Sequence, residues 1–301
     1  MNYLATVFPS ARRRRIPISR DQAMLLMAAF NEIMLGLDTL LAHGLNNTIH
    51  LREWIPIIFG PIAGVLLLIA GLIALRNRKM ATWLATAVFL TSILIGVLGA
   101  YFHLVRGTLP TAPVGSRVTL NLLVWAPPFL APFAFAGIGV LGISAAWEES
   151  PTGSGLLKLP FGRTVQMPYS KTRAYFFLVS LGILVALVSS AFDHSRHPWE
   201  NPWLWLPLVV GVFGTAVSAG MGAINRQLTT EDVTIYIVAM VLLIVVGMIG
   251  TYFHIQADLT SQSTIVPERF LRGAPFLSPL LYSNMGLVGL LALLSPIENT
   301  E

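Results

Sequence analysis

The sequence predicts an all-α integral membrane protein. Its eight transmembrane helices would form two tandem four-helix repeats in parallel orientation, with the N- and C-termini cytoplasmic. Three observations support this fold class. Of the 301 residues, 55% are hydrophobic and 11% charged, whereas about 25% are charged in soluble domains. The apolar residues are grouped in segments near the ~20 residues that a bilayer core requires. Motifs of the first half of the chain also recur in the second.

The recurring motif is an apolar segment that ends in Tyr-Phe-His. Residues 96–103 (GVLGAYFH) return 151 positions later as residues 247–254 (GMIGTYFH). The same offset relates several other pairs, among them His43 with His194, Trp54 with Trp205 and Gly60 with Gly211. One offset that holds from residue 43 to residue 103 is not expected by chance. We therefore interpret the chain as a tandem duplication in which each copy keeps two histidines.

Eight apolar segments predict the transmembrane helices, because lipid offers no hydrogen-bond partner to a non-helical backbone. The predicted helices cover residues 22–43, 54–75, 81–103 and 120–146 in the first copy, and 174–194, 203–224, 233–254 and 274–294 in the second. The domain organisation follows: a basic N-terminal segment (1–20), a first repeat (21–147), a cytoplasmic linker (148–172), a second repeat (173–295) and a C-terminal tail (296–301).

The distribution of basic residues predicts the orientation. Lysine and arginine are concentrated before the first helix, between the second and third helices, in the linker and after the sixth helix, which makes these segments cytoplasmic. Four helices per copy is an even number, so both copies point the same way. All six histidines then lie on the outer side. The arginine run at residues 12–15 precedes a full-length span without a small-residue cleavage site, which favours a retained helix over a signal peptide. We expect a multi-pass protein of the plasma (inner) membrane.

Several function classes are excluded by what the chain lacks. It contains no cysteine, which excludes disulfides, thiolate metal sites, iron–sulfur clusters and covalently attached c-type haem. There is no nucleotide-binding loop and no His-Glu-x-x-His motif. The net charge of +5 arises from the topology, so we expect no nucleic-acid partner.

The paired histidines are the candidate site. Helices 1 and 3 of one copy end on the same face, so His43 can approach His103, and His194 can approach His254. Neutral imidazole is a good ligand for haem iron, copper and zinc. We therefore expect these four side chains to hold haem b or a copper or zinc ion. Asp193 and His197 flank His194 in a pattern typical of a surface chelator, or of an ordinary polar loop.

Glycines beneath the helix-3 histidines allow two interpretations. Gly99 and Gly96 stand four and seven residues before His103, and the second copy repeats this spacing before His254. Residues at this spacing share one helix face. Such a groove could accept a porphyrin edge. It could equally let two backbones touch, with the histidines bonded to loop carbonyls.

Glu32 is the ionisable residue near the middle of a predicted span, where such a group is by default a functional candidate. It shares a helix stripe with Gly36, Thr39 and His43, and Ile183 replaces it in the second copy. The stripe could carry protons or bind a quinone head group. Alternatively, Glu32 is protonated and hydrogen-bonded to a neighbouring helix.

These observations lead to one functional hypothesis with two alternatives. The layout resembles, in architecture alone, the quinol-handling and haem-carrying membrane subunits of oxidoreductases. We therefore expect a redox or electron-transfer subunit, whether or not it is itself catalytic. It would be embedded in lipid and associate with other membrane or periplasmic subunits. The first alternative is a structural or assembly subunit whose histidines fasten the helix ends. The second is a metal or small-solute transporter, which the near absence of deep polar residues disfavours.

Overall fold

Helices make up most of the computed structural model, which describes residues 18–44, 49–160, 162–259 and 266–294 together with Tyr3 and Val7. Within these ranges the helices are α1 (Arg20–Gly44), α2 (Trp54–Ala74), α3 (Arg78–Arg106), α4 (Leu120–Trp125), α5 (Phe133–Ala146), α6 (Lys171–His194), α7 (Leu206–Ala223), α8 (Thr230–Leu259), α9 (Pro267–Arg272) and α10 (Leu280–Ala292). Apart from Tyr3 and Val7, residues 1–17 of the predicted basic segment lie outside the described residues, as does the tail 296–301.

Six helices of the described chain are long and apolar enough to cross a membrane: α1, α2, α3, α6, α7 and α8. They contain between 18 and 30 residues each. At 1.5 Å per residue, even the shortest approaches the ~30 Å of a hydrocarbon core. The chain is therefore a multi-pass membrane protein that contacts the lipid bilayer, and these six helices lie where the hydropathy predicted them.

The predicted continuous helices over 120–146 and 274–294 are wrong in extent. The first is interrupted after α4, because Ala126 precedes a proline and takes an extended conformation with φ −72° and ψ 168°. The helix resumes as α5, which has 14 residues, and its counterpart α10 has 13. Both are about 20 Å long, which is shorter than a bilayer core. Each follows a proline-containing segment that is not helical.

The long and short apolar helices pack in two groups of four. In the first bundle, α1 packs on α2, α2 on α3, α3 on α5 and α5 on α1. In the second bundle, α6, α7, α8 and α10 pack in the same cyclic order. The core of the second bundle also includes Met24 of α1 and Leu141 of α5. The two bundles thus share an apolar interface.

A polar cluster joins the bundles where α1 and α6 begin. Lys171 Nζ lies 2.6 Å from Asp21 Oδ2 and donates to the carbonyl of Trp147 at 2.6 Å. The Tyr175 hydroxyl donates to the other Asp21 oxygen at 2.9 Å. Because Lys171 is only 3% exposed, its charge depends on these partners.

Two further contacts join the bundles nearer the other end. The side-chain amides of Asn31 on α1 and Asn284 on α10 hydrogen-bond to each other. Beyond them, Arg196 donates to the carbonyl of Val124 at 2.8 Å and lies over the ring of Trp125. Polar contacts therefore join the two bundles at three separate places.

The linker contains a small antiparallel sheet that the sequence did not predict. Its strands are β1 (Glu148–Glu149), β2 (Leu156–Lys158) and β3 (Thr164–Gln166), in the order β1-β2-β3. Gly155 precedes β2 with φ +74°, a conformation that favours glycine. The Glu149 carboxylate accepts the backbone N–H of Lys171 at 2.9 Å, which ties the sheet to the start of α6. We call this the sheet end of the molecule and the opposite end the histidine end.

Candidate histidine site

All four predicted ligands lie at the histidine end. His43 is in the last turn of α1, His103 in the last turn of α3, and His194 is the last residue of α6. His254 lies near the end of α8, and all four side chains are half-buried. Helices α1 and α3 each pack on α2 and α5, so they lie diagonally across the first bundle. Their histidines consequently meet over its core.

The rings of His43 and His103 are close neighbours. Their centroids are 6.0 Å apart, with 70° between the ring planes. His43 Nδ1 lies 3.0 Å from the carbonyl of Thr39, and His103 Nδ1 lies 3.0 Å from that of Pro128. A carbonyl only accepts, so each Nδ1 carries the hydrogen and each Nε2 keeps a free lone pair. This arrangement orients and strengthens histidines that bind metals.

The histidines of the second bundle also bond to backbone carbonyls through Nδ1, although the partner of His194 lies outside its own helix. His194 Nδ1 lies 3.0 Å from the carbonyl of Leu204, and His254 Nδ1 lies 3.0 Å from that of Pro275. The two side chains are within electrostatic range of each other. Among the ring contacts of the described residues, one joins His43 and His103 and none joins His194 and His254.

The glycines below His103 are covered by the neighbouring helix. A Cβ atom at Gly99 would lie 2.8 Å from Cβ of Pro132, and one at Gly96 would lie 2.5 Å from the backbone nitrogen of Ala136. The start of α5 therefore packs directly on α3. The predicted groove for a porphyrin edge is filled at this position.

The second bundle repeats the contact. A Cβ atom at Gly250 would lie 2.8 Å from Cβ of Pro279, and one at Gly247 would lie 2.7 Å from the Pro279 carbonyl oxygen. The structure therefore supports the second interpretation of these glycines. The helix backbones approach each other closely, and the histidines bond to carbonyls.

Charged groups surround the first histidine pair. Glu53 accepts the backbone N–H of His50 at 2.9 Å and lies 3.7 Å from Arg106. Both Glu53 and Arg106 are within electrostatic range of His103. Asp38 is within electrostatic range of His43. A ligand at this pair would therefore have two carboxylates and the Arg106 guanidinium nearby.

The donor set distinguishes between a bare metal ion and haem. Among the described residues, no three histidine or carboxylate side chains converge as a metal-binding group. Asp193 instead lies 3.7 Å from Arg196, and His197 is exposed. Zinc sites in proteins usually have at least three protein ligands, whereas a porphyrin itself supplies the equatorial ligands of its iron. His43 and His103, whose ring centroids are 6.0 Å apart, are the residues that would hold such a group.

Glu32 lies well below this pair and has no open path to it. The residue is 0% exposed, and its Oε1 lies 2.5 Å from the Ser92 hydroxyl. Along the predicted stripe toward His43, Gly36 is covered by Pro61 of α2. Thr39 donates to the carbonyl of Leu35 at 2.7 Å. The stripe is therefore packed and does not form a continuous polar path.

Sequence reasoning allowed for histidines bonded to loop carbonyls and for a hydrogen-bonded Glu32, but it did not identify which residues are the partners. Ser92 contacts Glu32, and a serine in the middle of an apolar span was a detectable signal. The carbonyls of Pro128, Leu204 and Pro275 bind histidines, but backbone carbonyls leave no signature in a sequence.

Comparison with known proteins adds no family assignment. No protein-family model matches the chain, and neither a curated protein nor a solved structure is significantly similar to it.

Proposed function

We propose that this protein is an integral membrane redox subunit of the plasma membrane that binds haem b, or a copper or zinc ion, through His43 and His103. The observation that carries the proposal is the approach of two half-buried imidazoles to 6.0 Å with both Nδ1 atoms bonded to carbonyls. With the hydrogen on Nδ1, the neutral imidazoles would have their Nε2 lone pairs for one shared ligand. When bound, haem would supply one-electron redox chemistry.

The protein side chains would position that ligand and adjust its charge. The carbonyls of Thr39 and Pro128 fix the two imidazole tautomers. Asp38 lies within electrostatic range of His43, and at His103 the charges of Arg106 and Glu53 act in opposite directions. His194 and His254 are the corresponding candidates in the second bundle, with the same Nδ1 anchoring.

The proposal includes the eight-span architecture with parallel four-helix repeats. In each bundle, a proline segment and a short helix, α5 or α10, together complete the fourth crossing. The equivalent packing of Gly99 on Pro132 and of Gly250 on Pro279 supports a duplicated origin. The histidine end would then face outward, where membrane or periplasmic subunits could exchange electrons with it. A quinone near the first bundle remains part of this proposal.

A structural or assembly subunit is the second candidate. Three of the four histidines bond to carbonyls outside their own helices, those of Pro128, Leu204 and Pro275. Such bonds hold the loops against the helix ends whether or not a cofactor is present. This alternative predicts a protein without a stoichiometric cofactor.

Cofactor analysis separates the two candidates. The protein would be purified in detergent without chelators, and its haem, iron, copper and zinc would be quantified per chain. The redox proposal predicts a stoichiometric cofactor that the His43→Ala/His103→Ala variant loses and that His50→Ala, a change at an exposed histidine, retains. A colourless and metal-free wild-type protein would exclude the redox proposal and leave the structural role.

A further inference from the structure

The carboxyl group of Glu32 lies in the interior of the first bundle among groups from two other helices. Glu32 stands at the midpoint of α1 and is 0% exposed, as is Ser92 of α3. Glu32 Oε1 lies 2.5 Å from Ser92 Oγ, and Ser92 Oγ lies 2.9 Å from the carbonyl oxygen of Phe135 on α5. Three helices therefore meet in one chain of hydrogen bonds.

The number of available hydrogens defines the protonation state of Glu32 in this chain of hydrogen bonds. A serine hydroxyl has one hydrogen to donate, and a backbone carbonyl can only accept. An ionised carboxylate also only accepts, so Ser92 would then face two acceptors with one hydrogen. If Glu32 carries a proton, it donates to Ser92, and Ser92 donates to Phe135. The distance of 2.5 Å between Glu32 and Ser92 is within the range of an O–H···O hydrogen bond.

The surroundings of Glu32 also favour the neutral acid. Among the salt bridges of the described residues, none involves Glu32, and its second oxygen, Oε2, is buried without a hydrogen-bond partner. A buried carboxylate without a cation is strongly disfavoured, whereas the carbonyl oxygen of a neutral acid is more easily left unpaired. The position is specific to the first bundle, because Ile183 occupies the equivalent place on α6.

We infer that Glu32, Ser92 and the Phe135 carbonyl form a proton-binding site in the core of the first bundle, with Glu32 as the proton carrier. Loss of the proton would turn the Ser92 hydroxyl from Phe135 toward the new carboxylate. The Phe135 carbonyl, in the first turn of α5, would lose a partner. This turn follows Pro132, which packs on Gly99 one turn below His103. Proton release at Glu32 would thus act on the helix start beside the histidine pair. The site itself does not depend on a bound cofactor.

Infrared spectroscopy of the purified protein near neutral pH tests this inference directly. A protonated carboxyl has a C=O stretching band that a carboxylate lacks. We expect the difference spectrum of wild type minus Glu32→Gln to contain this band, and Ser92→Ala to shift it to higher frequency by removing the hydrogen-bond acceptor. Glu53→Gln, at a carboxylate beside Arg106, should leave the band unchanged.

An isotope measurement on the unmodified chain covers the case in which a variant does not fold. Carboxyl-[13C]glutamate in the wild-type protein should move the same band to lower frequency, whereas [13C]aspartate should not. The absence of a protonated-carboxyl band in wild type would overturn the inference. A band that remains in Glu32→Gln would also overturn the inference. So would a band whose frequency is unchanged in a folded Ser92→Ala variant.

Discussion

The ammonium group of Lys171 lies 2.6 Å from the carboxylate of Asp21, and this ion pair connects the second bundle to the first at the sheet end. The carbonyl of Trp147 accepts a further hydrogen bond from the same ammonium. The linker therefore does not merely tether two independent bundles. Lys171, near the end of the predicted linker, is the first residue of α6 and contacts both Asp21 and Trp147.

Replacement of Lys171 by methionine should destabilise the protein. The change removes the ammonium that bonds to Asp21 and to the Trp147 carbonyl. Asp21 keeps Arg20 and the Tyr175 hydroxyl as partners, so we expect a loss of about 1–3 kcal/mol rather than the full cost of an unpaired buried charge. Thermal unfolding in detergent would measure the effect. Lys158→Met, at an exposed lysine of β2, is the matched control. Equal unfolding temperatures for the Lys171 and Lys158 variants would contradict the role of this pair.

The glycines that face α5 and α10 should not tolerate a methyl group. At Gly96, alanine would place Cβ 2.5 Å from the backbone nitrogen of Ala136. We expect a loss of about 1–3 kcal/mol from this overpacking. Gly137 on α5 has nothing within 4 Å of an added Cβ, so Gly137→Ala should be neutral or stabilising by up to about 1 kcal/mol through helix propensity. Equal shifts in the unfolding temperature of Gly96→Ala and Gly137→Ala would show that the close approach of α3 and α5 does not contribute to stability.

The sequence was sufficient for the long helices because a span needs a run of apolar residues of defined length. The same rule failed at residues 120–146. Hydropathy continues through Ala126 and Pro132, but the residue before each proline cannot easily be helical. The sheet in the linker was not predicted because strands of two or three residues contain no readable alternation.

The site could be predicted only in part, for a related reason. The position of His43 and His103 at one end follows from helix length, and the diagonal packing of α1 and α3 brings them together. The partners of their Nδ1 atoms are backbone carbonyls, which every residue has, so no residue type indicates them. The spacing of Gly96 and Gly99 was compatible with either a cofactor groove or a close helix contact. Only the position of Pro132 against Gly99 shows that it is a helix contact.

Cysteine labelling tests the proposed eight-span topology. The chain has no native cysteine, so single replacements give an unambiguous signal. In oriented membrane vesicles, Thr152→Cys and Gln227→Cys at the sheet end should react with an impermeant maleimide from the side opposite to Gly115→Cys and Ser195→Cys. All four positions are exposed. Labelling of Thr152→Cys and Gly115→Cys from the same side would mean that α5 does not complete a crossing.

Two replacements of His103 distinguish its bond to Pro128 from its free ring nitrogen. An asparagine amide can occupy the place of Nδ1–H and donate to the Pro128 carbonyl, whereas alanine cannot. His103→Ala should therefore lose about 1 kcal/mol of stability, and His103→Asn should lose less. Thermal unfolding of both variants under conditions that remove any cofactor measures this difference. Equal losses would show that the carbonyl bond does not contribute to stability.

The most direct test of the central claim is a reduced-minus-oxidised optical spectrum of the wild-type protein and of His103→Asn, which keeps the carbonyl bond but removes Nε2. We predict a haem difference spectrum in the wild type that His103→Asn abolishes and that His50→Ala preserves. For a copper or zinc ion, the same three samples would show the same pattern in metal content. A cofactor that remains fully bound in folded His103→Asn protein would contradict ligation by this pair, and a wild-type protein with neither haem nor metal would contradict the redox function itself.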